Sequence, residues 1–172
     1  MNNYGELIDQ NTLQFKRLLS GKIERVWQYL TDSELRGKWF ASGAIDLNPQ
    51  GAMELNFHHQ SLSKEDDAIP EKYQNMKDGS KSSAVVLKAV PPSLMVIDWE
   101  GKVTFELEQI AENQVLLTLT HERLQDSRDY KIGVFAGWHT HLDILVDVVA
   151  GAEPKGFWRV HMPLEEEYAA KL

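Results

Sequence analysis

The chain of 172 residues contains no cysteine. This absence excludes disulfide bonds, a thiolate nucleophile and any cysteine-ligated zinc site, and it fits a reducing compartment. Positive charge is also scarce, because 18 lysines and arginines stand against 26 acidic residues and the formal net charge is −8. No stripe of basic side chains is available for a phosphate backbone, so a nucleic acid is not expected as a partner.

Long apolar runs are missing as well. No stretch reaches the roughly eighteen apolar residues of a membrane span, and residues 1–10 lack the basic start and apolar centre of a secretory signal. We therefore expect a soluble, cytoplasmic protein without integral membrane association. The length fits a single domain over residues 1–172, with residues 1–10 predicted as an N-terminal tail.

Two tryptophan-bearing helical segments, at 23–40 and 134–151, are separated mostly by strand-like sequence. In the first segment, apolar residues recur at the spacing of an amphipathic helix, and a second short helix is expected to follow and end near Trp39. A stretch of alternating residues around Phe15 precedes both and predicts the first strand, with Arg17 on its apolar phase. This order of elements predicts an α+β fold in which a curved antiparallel sheet encloses a long C-terminal helix.

About six further strands follow, and each is expected to turn its apolar phase toward the concave face of the sheet. These inward residues are predicted to be Met53, Leu55, Phe57, His59, Val85, Leu87, Met95, Ile97, Trp99, Val103, Phe105, Leu107, Val115, Leu117 and Leu119. The polar stretch 61–83 is predicted to be a long loop. Residues 152–172 are predicted to form a C-terminal extension that packs on the body.

The helix predicted over 134–150 has an apolar side and a polar side. At about 100° per residue, the apolar side spans roughly 120° and includes Trp138, His141, Leu142 and Leu145. On the same geometry the opposite side consists of Thr140, Asp143 and Asp147, and we expect Asp143 and Asp147 to face water. Gly151 is predicted to end the helix.

Several segments, taken together and in this order, resemble one known group of proteins. They are ERVWQYLTDSELRGKWF (24–40), GAMELNF (51–57), AVPPSLMVIDWEG (89–101), LTHERL (119–124), GWHTHLDILVDVVAG (137–151), FW (157–158) and EEEY (165–168). The chain is similar to the START-like, Bet v 1-type (SRPBCC) superfamily, and within it to bacterial relatives of the C-terminal domain of the activator of the Hsp90 ATPase. The resemblance implies a helix-grip fold, with about seven antiparallel strands around the C-terminal helix, two short helices after the first strand and a cavity between sheet and helix.

A shared fold does not imply a shared function, and this superfamily includes lipid and hormone binders, cyclases and co-chaperones. We expect a noncatalytic domain that binds a small hydrophobic or amphipathic molecule in the cavity. Two alternatives remain open. One is a co-chaperone-like regulator of an ATPase that acts through protein contact, and the other is a cyclase or hydrolase that uses a cavity histidine.

The candidate ligand-binding residues are those on inward phases or at the expected cavity mouth. They are Arg17, Trp39, Phe57, His59, Trp99, Phe105, Trp138, His141, Leu142 and Leu145. Such a mixture of many apolar and few polar groups is typical of small-molecule sites. Trp39 is expected at the mouth, and Arg17, if it faces inward, needs a carboxylate or an anionic ligand. His141 is interpreted either as a hydrogen-bonded core residue or as a polar anchor.

Neither a catalytic group nor a metal ligand set is predicted. His58 and His59 are adjacent on a strand and should point to opposite faces, and no HExxH motif occurs. The chain also lacks a nucleophile elbow, a P-loop and a dinucleotide-binding fingerprint, so no cofactor is expected.

Overall fold

A computed structural model describes all 172 residues of the protein. It contains seven strands, four α-helices and two short 3₁₀ helices. The strands are β1 (Glu6–Asp9), β2 (Thr12–Ser20), β3 (Gly51–Phe57), β4 (Ser80–Val90), β5 (Leu94–Asp98), β6 (Lys102–Ala111) and β7 (Gln114–Glu122). The α-helices are α1 (Ile23–Thr31), α2 (Ser33–Gly37), α3 (Arg128–Val149) and α4 (Phe157–Lys171), and the 3₁₀ helices are His59–Leu62 and Glu71–Met76.

All seven strands form one antiparallel sheet in the order β1-β2-β7-β6-β5-β4-β3. Each strand pairs with the next strand in the chain, except that β2 does not pair with β3. Strand β2 pairs instead with β7, the last strand of the chain. The curved sheet with a long helix against it confirms the predicted α+β helix-grip fold. Strand β1 lies within the segment predicted as a tail, so that prediction was wrong for residues 6–9.

The predicted inward phase is confirmed for most strands, because the residues on it are buried. Strand β4 is the exception, since Ala84 and Val86 are buried whereas Val85 is 37% exposed. A register irregularity between Val86 and Lys88 interrupts the pairing of β4 with β5. The apolar run from Ala84 to Leu87 has no alternation, so the sequence did not determine which residues face inward, and the wrong phase was predicted.

Helix α3 begins six residues before the predicted start. Ser127 caps it by accepting a hydrogen bond from the backbone N–H of Tyr130, and Asp129 places negative charge in the first turn. Gly151, with a φ of 76°, follows the helix end as predicted. By length and composition α3 could cross a membrane, but 61% of its apolar window is buried inside the protein, as in the core helix of a folded domain.

The predicted polar side of α3 is not exposed to water. Helix α4 packs against it, so that Thr140 is fully buried and His139 is hydrogen-bonded to Tyr168 of α4. Asp143 is half-buried and paired with Arg17, which corrects its predicted exposure. Helix α3 has no side that faces only water, because it is covered by the sheet on one side and by α4 on the other.

The predicted loop 61–83 is shorter and more structured than expected. Its last four residues belong to β4, and it includes most of the two 3₁₀ helices. We call residues 58–79 the connecting segment. Asp67 in its centre accepts hydrogen bonds from the backbone N–H groups of Trp158 and Arg159, so the segment is attached to the N-terminus of α4.

Candidate functional site

A cavity of about 930 Å³ lies between the first half of α3, helix α4, the connecting segment and the ends of β3, β4 and β7. Its volume is in the range of pockets that hold small organic molecules. Five of the predicted site residues line it, namely Phe57, His59, Trp99, Trp138 and His141. The cavity therefore lies toward one end of the region between sheet and helix.

The other five predicted residues lie outside this cavity. Phe105, Leu142 and Leu145 are on the inward phase, but they are packed in the core between sheet and α3 with 2% exposure or less. Trp39 was predicted at the mouth and is instead 1% exposed, with its indole N–H bonded to the carbonyl of Tyr29. That prediction was wrong because the turn after α2 folds the indole into the core.

Arg17 is 2% exposed and lies beside a second, smaller cavity between β2 and α3. Its guanidinium is 3.0 Å from Asp143 and also donates to the carbonyls of Asn3 and Lys16. Burial lowers the pKa of Arg17 and the charge of Asp143 opposes this effect. The carboxylate that a buried arginine needs is therefore supplied by the protein, and Arg17 does not select an acidic ligand in the larger cavity.

Aromatic rings form much of the cavity wall. Phe40 stacks on Trp138 at a centroid distance of 5.2 Å and meets Trp99 edge-on at 5.5 Å. Phe57 contacts Phe40 edge-on at 5.0 Å. Such offset and edge-on contacts leave ring faces and edges that attract other aromatic groups.

Trp138 is held in place by His121 on β7. The indole N–H donates to Nδ1 of His121 at 3.0 Å, and Nε2 of the same ring lies 3.0 Å from the carbonyl oxygen of Glu100. An indole N–H only donates and a carbonyl only accepts, so the proton must be on Nε2. Burial lowers the pKa of His121, which agrees with this neutral form. Both ring nitrogens are thus used, and His121 positions Trp138.

His141 lies in the wall between the rings of Phe40 and Phe157, with centroid distances of 5.1 and 4.9 Å. Its Nδ1 is 2.7 Å from the backbone oxygen of Trp39. Burial lowers the pKa of His141 to about 3, so the ring is neutral at pH 7. It serves both as a core residue with one hydrogen bond and as part of the cavity lining.

Four lining residues have a polar atom that is buried without a hydrogen-bond partner. The atoms are Nδ1 of His59, Nε1 of Trp158, Nδ1 of His161 and the hydroxyl of Tyr130, and the rings of His59 and Trp158 are 5.2 Å apart. Burial lowers the pKa of His59 to about 4, so this ring is also neutral. Unpaired buried polar groups are costly and uncommon in native proteins. Their concentration beside a cavity marks a place where a ligand or water can bind.

A polar group closes the rim between the connecting segment and α4. Tyr73 stacks on Trp158 at 4.6 Å and donates a hydrogen bond to Glu165 at 2.7 Å. Lys72 forms a 2.9 Å ion pair with the same carboxylate, and Nε2 of His161 is 3.3 Å from the Tyr73 hydroxyl. Burial raises the pKa of Glu165, but the hydrogen bonds from Lys72 and Tyr73 outweigh it and the net pKa is lowered.

Two glycines of α3 also line the cavity. Gly133 and Gly137 are one turn apart, and a Cβ atom placed on either would meet nothing within 4 Å. Every other lining residue of α3 carries a side chain. The two glycines therefore leave open space in the wall without being required by a close backbone contact.

The contribution of α4 and the connecting segment to the cavity was not predicted from the sequence. Phe157, Trp158, His161 and Glu165 line the cavity from α4, and Tyr73 and Met76 line it from the connecting segment. The spacing of Phe157, His161 and Glu165 at i, i+4 and i+8 was a usable signal, because it places all three on one helix face. Nothing in the sequence indicated that this face would meet Tyr73.

Residues 20–150 match the family model described as Activator of Hsp90 ATPase homolog 1-like protein. The chain belongs to this family. Helix α4 lies outside the matched residues, so the wall that it contributes is an addition to the part of the fold that the family model covers. No curated protein sequence matches the chain significantly.

Solved structures show the same fold over 80% or more of the chain. A protein of Bordetella parapertussis, solved by solution NMR, is 35% identical, with 99% of this chain and 91% of that chain covered and a TM-score of 0.81. CalU16 from Micromonospora echinospora is 20% identical, with 97% and 93% covered and a TM-score of 0.64. The Aha1 dimer of Colwellia psychrerythraea is 16% identical, with 80% and 95% covered and a TM-score of 0.58. The last two likenesses concern the fold alone.

Proposed function

We propose that the protein is a noncatalytic binding domain that holds a small hydrophobic or amphipathic molecule in the cavity between α3, α4 and the sheet. The observation that carries the proposal is the pair Gly133 and Gly137, which face the cavity with nothing within 4 Å of a Cβ position.

Glycine in the interior of a helix costs about 0.5–1 kcal/mol relative to alanine. Helix α3 has 22 residues and includes two such positions where alanine would fit. The helix is therefore less stable than it could be, and what it gains is empty volume beside aromatic rings. Stability given up at a site is a recurrent property of functional surfaces.

The aromatic wall supports the same proposal. Phe57, Trp99, Trp138, Phe157 and Trp158 surround a space large enough for a molecule of several rings. A binding role requires only this shape and a few polar contacts.

Substitutions at Gly137 test the proposal because they separate binding from folding. Gly137→Ala should raise the free energy of unfolding by about 0.5–1 kcal/mol. Gly137→Leu should fill the cavity and weaken binding of the neutral fluorescent probe Nile red at least about tenfold, which corresponds to a loss of about 1.4 kcal/mol. Native mass spectrometry of protein from its own host would then identify the natural ligand.

Two results with Nile red and related compounds would contradict the proposed function. If the folded wild-type protein binds neither Nile red nor any member of a broad panel of apolar compounds saturably, the cavity is not a ligand site. If Nile red binds equally well to the wild type and to Gly137→Leu, the binding site is elsewhere on the protein.

A further inference from the structure

Most of the free polar atoms of the cavity are gathered at one end of it, and the hydroxyl of Tyr130, near Glu100, is the exception. His59, His141 and Trp158 surround Phe157, with ring centroids 4.5, 4.9 and 4.9 Å from the Phe157 ring, respectively. His59 and His141 are themselves 5.5 Å apart. The opposite end is formed by Trp99, Trp138 and their aromatic neighbours. The cavity therefore has a polar end and an aromatic end.

The proton on His141 can be assigned from its single partner. The backbone oxygen of Trp39 only accepts hydrogen bonds, so the Nδ1 atom that lies 2.7 Å from it must carry the proton. The ring is neutral at pH 7 because burial lowers the pKa of His141 to about 3. Nε2 is then an unprotonated acceptor, and a group that binds it must donate a hydrogen bond.

The other histidines in the lining are less available. His121 uses both ring nitrogens within the protein, and His161 meets the Tyr73 hydroxyl through Nε2. His59 has an unpartnered Nδ1, and nothing in the protein determines which of its nitrogens carries the proton. Since Tyr73 gives its proton to Glu165, Nε2 of His161 donates to the Tyr73 oxygen and Nδ1 of His161 is an acceptor, but that atom is fully buried. Nε2 of His141 is therefore the defined acceptor that is not fully buried.

The charges around the cavity disfavour an anionic ligand. Four carboxylates line it, those of Glu100, Asp129, Glu165 and Glu166, against the two cations Lys72 and Arg128. Lys72 is already paired with Glu165, and Arg128 donates to the carbonyl of Ala169. A ligand carboxylate would lose its hydration without gaining a free cation.

On the basis of the proposed function, we infer that the cavity selects an uncharged aromatic molecule with a hydroxyl or N–H group, and that Nε2 of His141 accepts a hydrogen bond from that group. The rings of the ligand lie against Trp99, Trp138 and Phe40. The hydroxyl or N–H points toward the polar end.

Three pyrene derivatives with one scaffold test this specificity. They are 1-hydroxypyrene, which can donate, 1-methoxypyrene, which cannot, and 1-pyrenecarboxylate, which is anionic. Binding at pH 7 is measured by pyrene fluorescence and by calorimetry. We expect 1-hydroxypyrene to bind about 3- to 10-fold more tightly than 1-methoxypyrene, the usual value of one net hydrogen bond, and the carboxylate to bind most weakly.

The variant His141→Asn isolates the acceptor. An asparagine amide can still donate to the Trp39 carbonyl from near the Nδ1 position, but it has no atom at the Nε2 position. In this variant 1-hydroxypyrene and 1-methoxypyrene should bind with about equal affinity. His141→Leu provides a second test, and His58→Asn, at an exposed position outside the lining, is the matched control.

The outcomes separate this inference from the proposed function. Binding of the pyrenes without any hydroxyl preference, an equal preference in wild type and His141→Asn, or tightest binding of the carboxylate would each overturn the inference and leave a cavity that binds ligands. Absence of saturable binding for all three pyrenes and for Nile red would overturn the proposed function, and the inference with it.

Discussion

Arg17 on β2 and Asp143 on α3 form an ion pair with an N–O distance of 3.0 Å, and the arginine side chain is 2% exposed. The pair therefore links strand β2 of the sheet to helix α3. His139 is also 3.4 Å from the same carboxylate. Asp143 thus supplies the counter-charge for a buried guanidinium.

Asp143→Ala should therefore destabilise the protein. It leaves Arg17 buried without a carboxylate, although the bonds to two backbone carbonyls remain, and we expect a loss of about 2–3 kcal/mol in the free energy of unfolding. Asp147→Ala, one turn further along α3 and without an ion pair, should cost less than about 0.5 kcal/mol. Urea denaturation measures both, and equal effects would contradict the importance of the pair.

The attachment of α4 to the connecting segment gives a second prediction. Asp67 caps α4 in place of a local residue, since Gly156 at the N-cap position has no side chain to do so. Asp67→Ala should cost about 1–2 kcal/mol, the range for loss of an N-cap. It should also increase hydrogen exchange in both residues 60–79 and α4.

The control for this prediction is Asp66→Ala, at an exposed neighbouring position, which should leave exchange unchanged. Gly156→Ala should mimic the loss of Asp67, because a Cβ at position 156 would approach Cγ of Asp67 to 2.7 Å. Increased exchange in only one of the two segments would show that they are not coupled through this cap.

Stability should fall as the pH is lowered from 7 to 5. Burial lowers the pKa values of His59, His141 and His161 to about 4, 3 and 4, below the value near 6.5 of an unfolded chain. Between about pH 6.5 and pH 4 the unfolded chain binds protons that the folded protein does not. Each such histidine therefore lowers the free energy of unfolding by up to about 1.4 kcal/mol per pH unit of acidification.

Urea denaturation at pH 7, 6 and 5 measures this slope, above the range in which most carboxylates titrate. His141→Asn should reduce the slope of the unfolding free energy against pH by the contribution of about one bound proton. The substitution His58→Asn, at an exposed position, should not change this slope. A wild-type protein that is equally stable at pH 5 and pH 7 would show that these histidines are not neutral in the fold.

The core prediction concerns Leu145, which is fully buried against the sheet. Leu145→Ala should cost about 2–5 kcal/mol, the range for a large-to-small change in a core. Leu18→Ala on β2 removes the same atoms from a residue that is 38% exposed, and it should cost less than about 1 kcal/mol. Thermal or chemical denaturation distinguishes the two.

The sequence predicted the sheet and the facing of most strands because alternation is a local property of the chain. Phe57 and Trp99 were assigned to the concave face on this basis, and Trp138 and His141 were assigned to the inner face of the helix from helical periodicity; all four line the cavity. Val85 was assigned to the wrong face because its neighbours are all apolar. Asp143 was assigned to water because the calculation treated α3 as a helix with one covered face.

The remaining cavity residues depend on contacts between distant parts of the chain. Tyr73 reaches the cavity only because its segment is attached to α4, and that attachment joins Asp67 to a helix about ninety residues later. Trp39 does not lie at the cavity mouth, because the turn after α2 directs its indole into the core and the sequence of that turn does not specify this geometry. The residue pattern within a single helix or strand does not predict contacts of this kind between distant segments.

The capping of α4 by Asp67 also has a consequence for how the domain is built during translation. The ribosome makes the sheet, the connecting segment and α3 before it makes α4. Until α4 docks, Asp67 has no helix terminus to bind, and the future cavity is an open groove on a nearly finished domain. On the proposed function, a ligand that reaches this groove would be enclosed by the folding of the helix itself, and it would not have to pass the rim formed by Lys72, Tyr73 and Glu165.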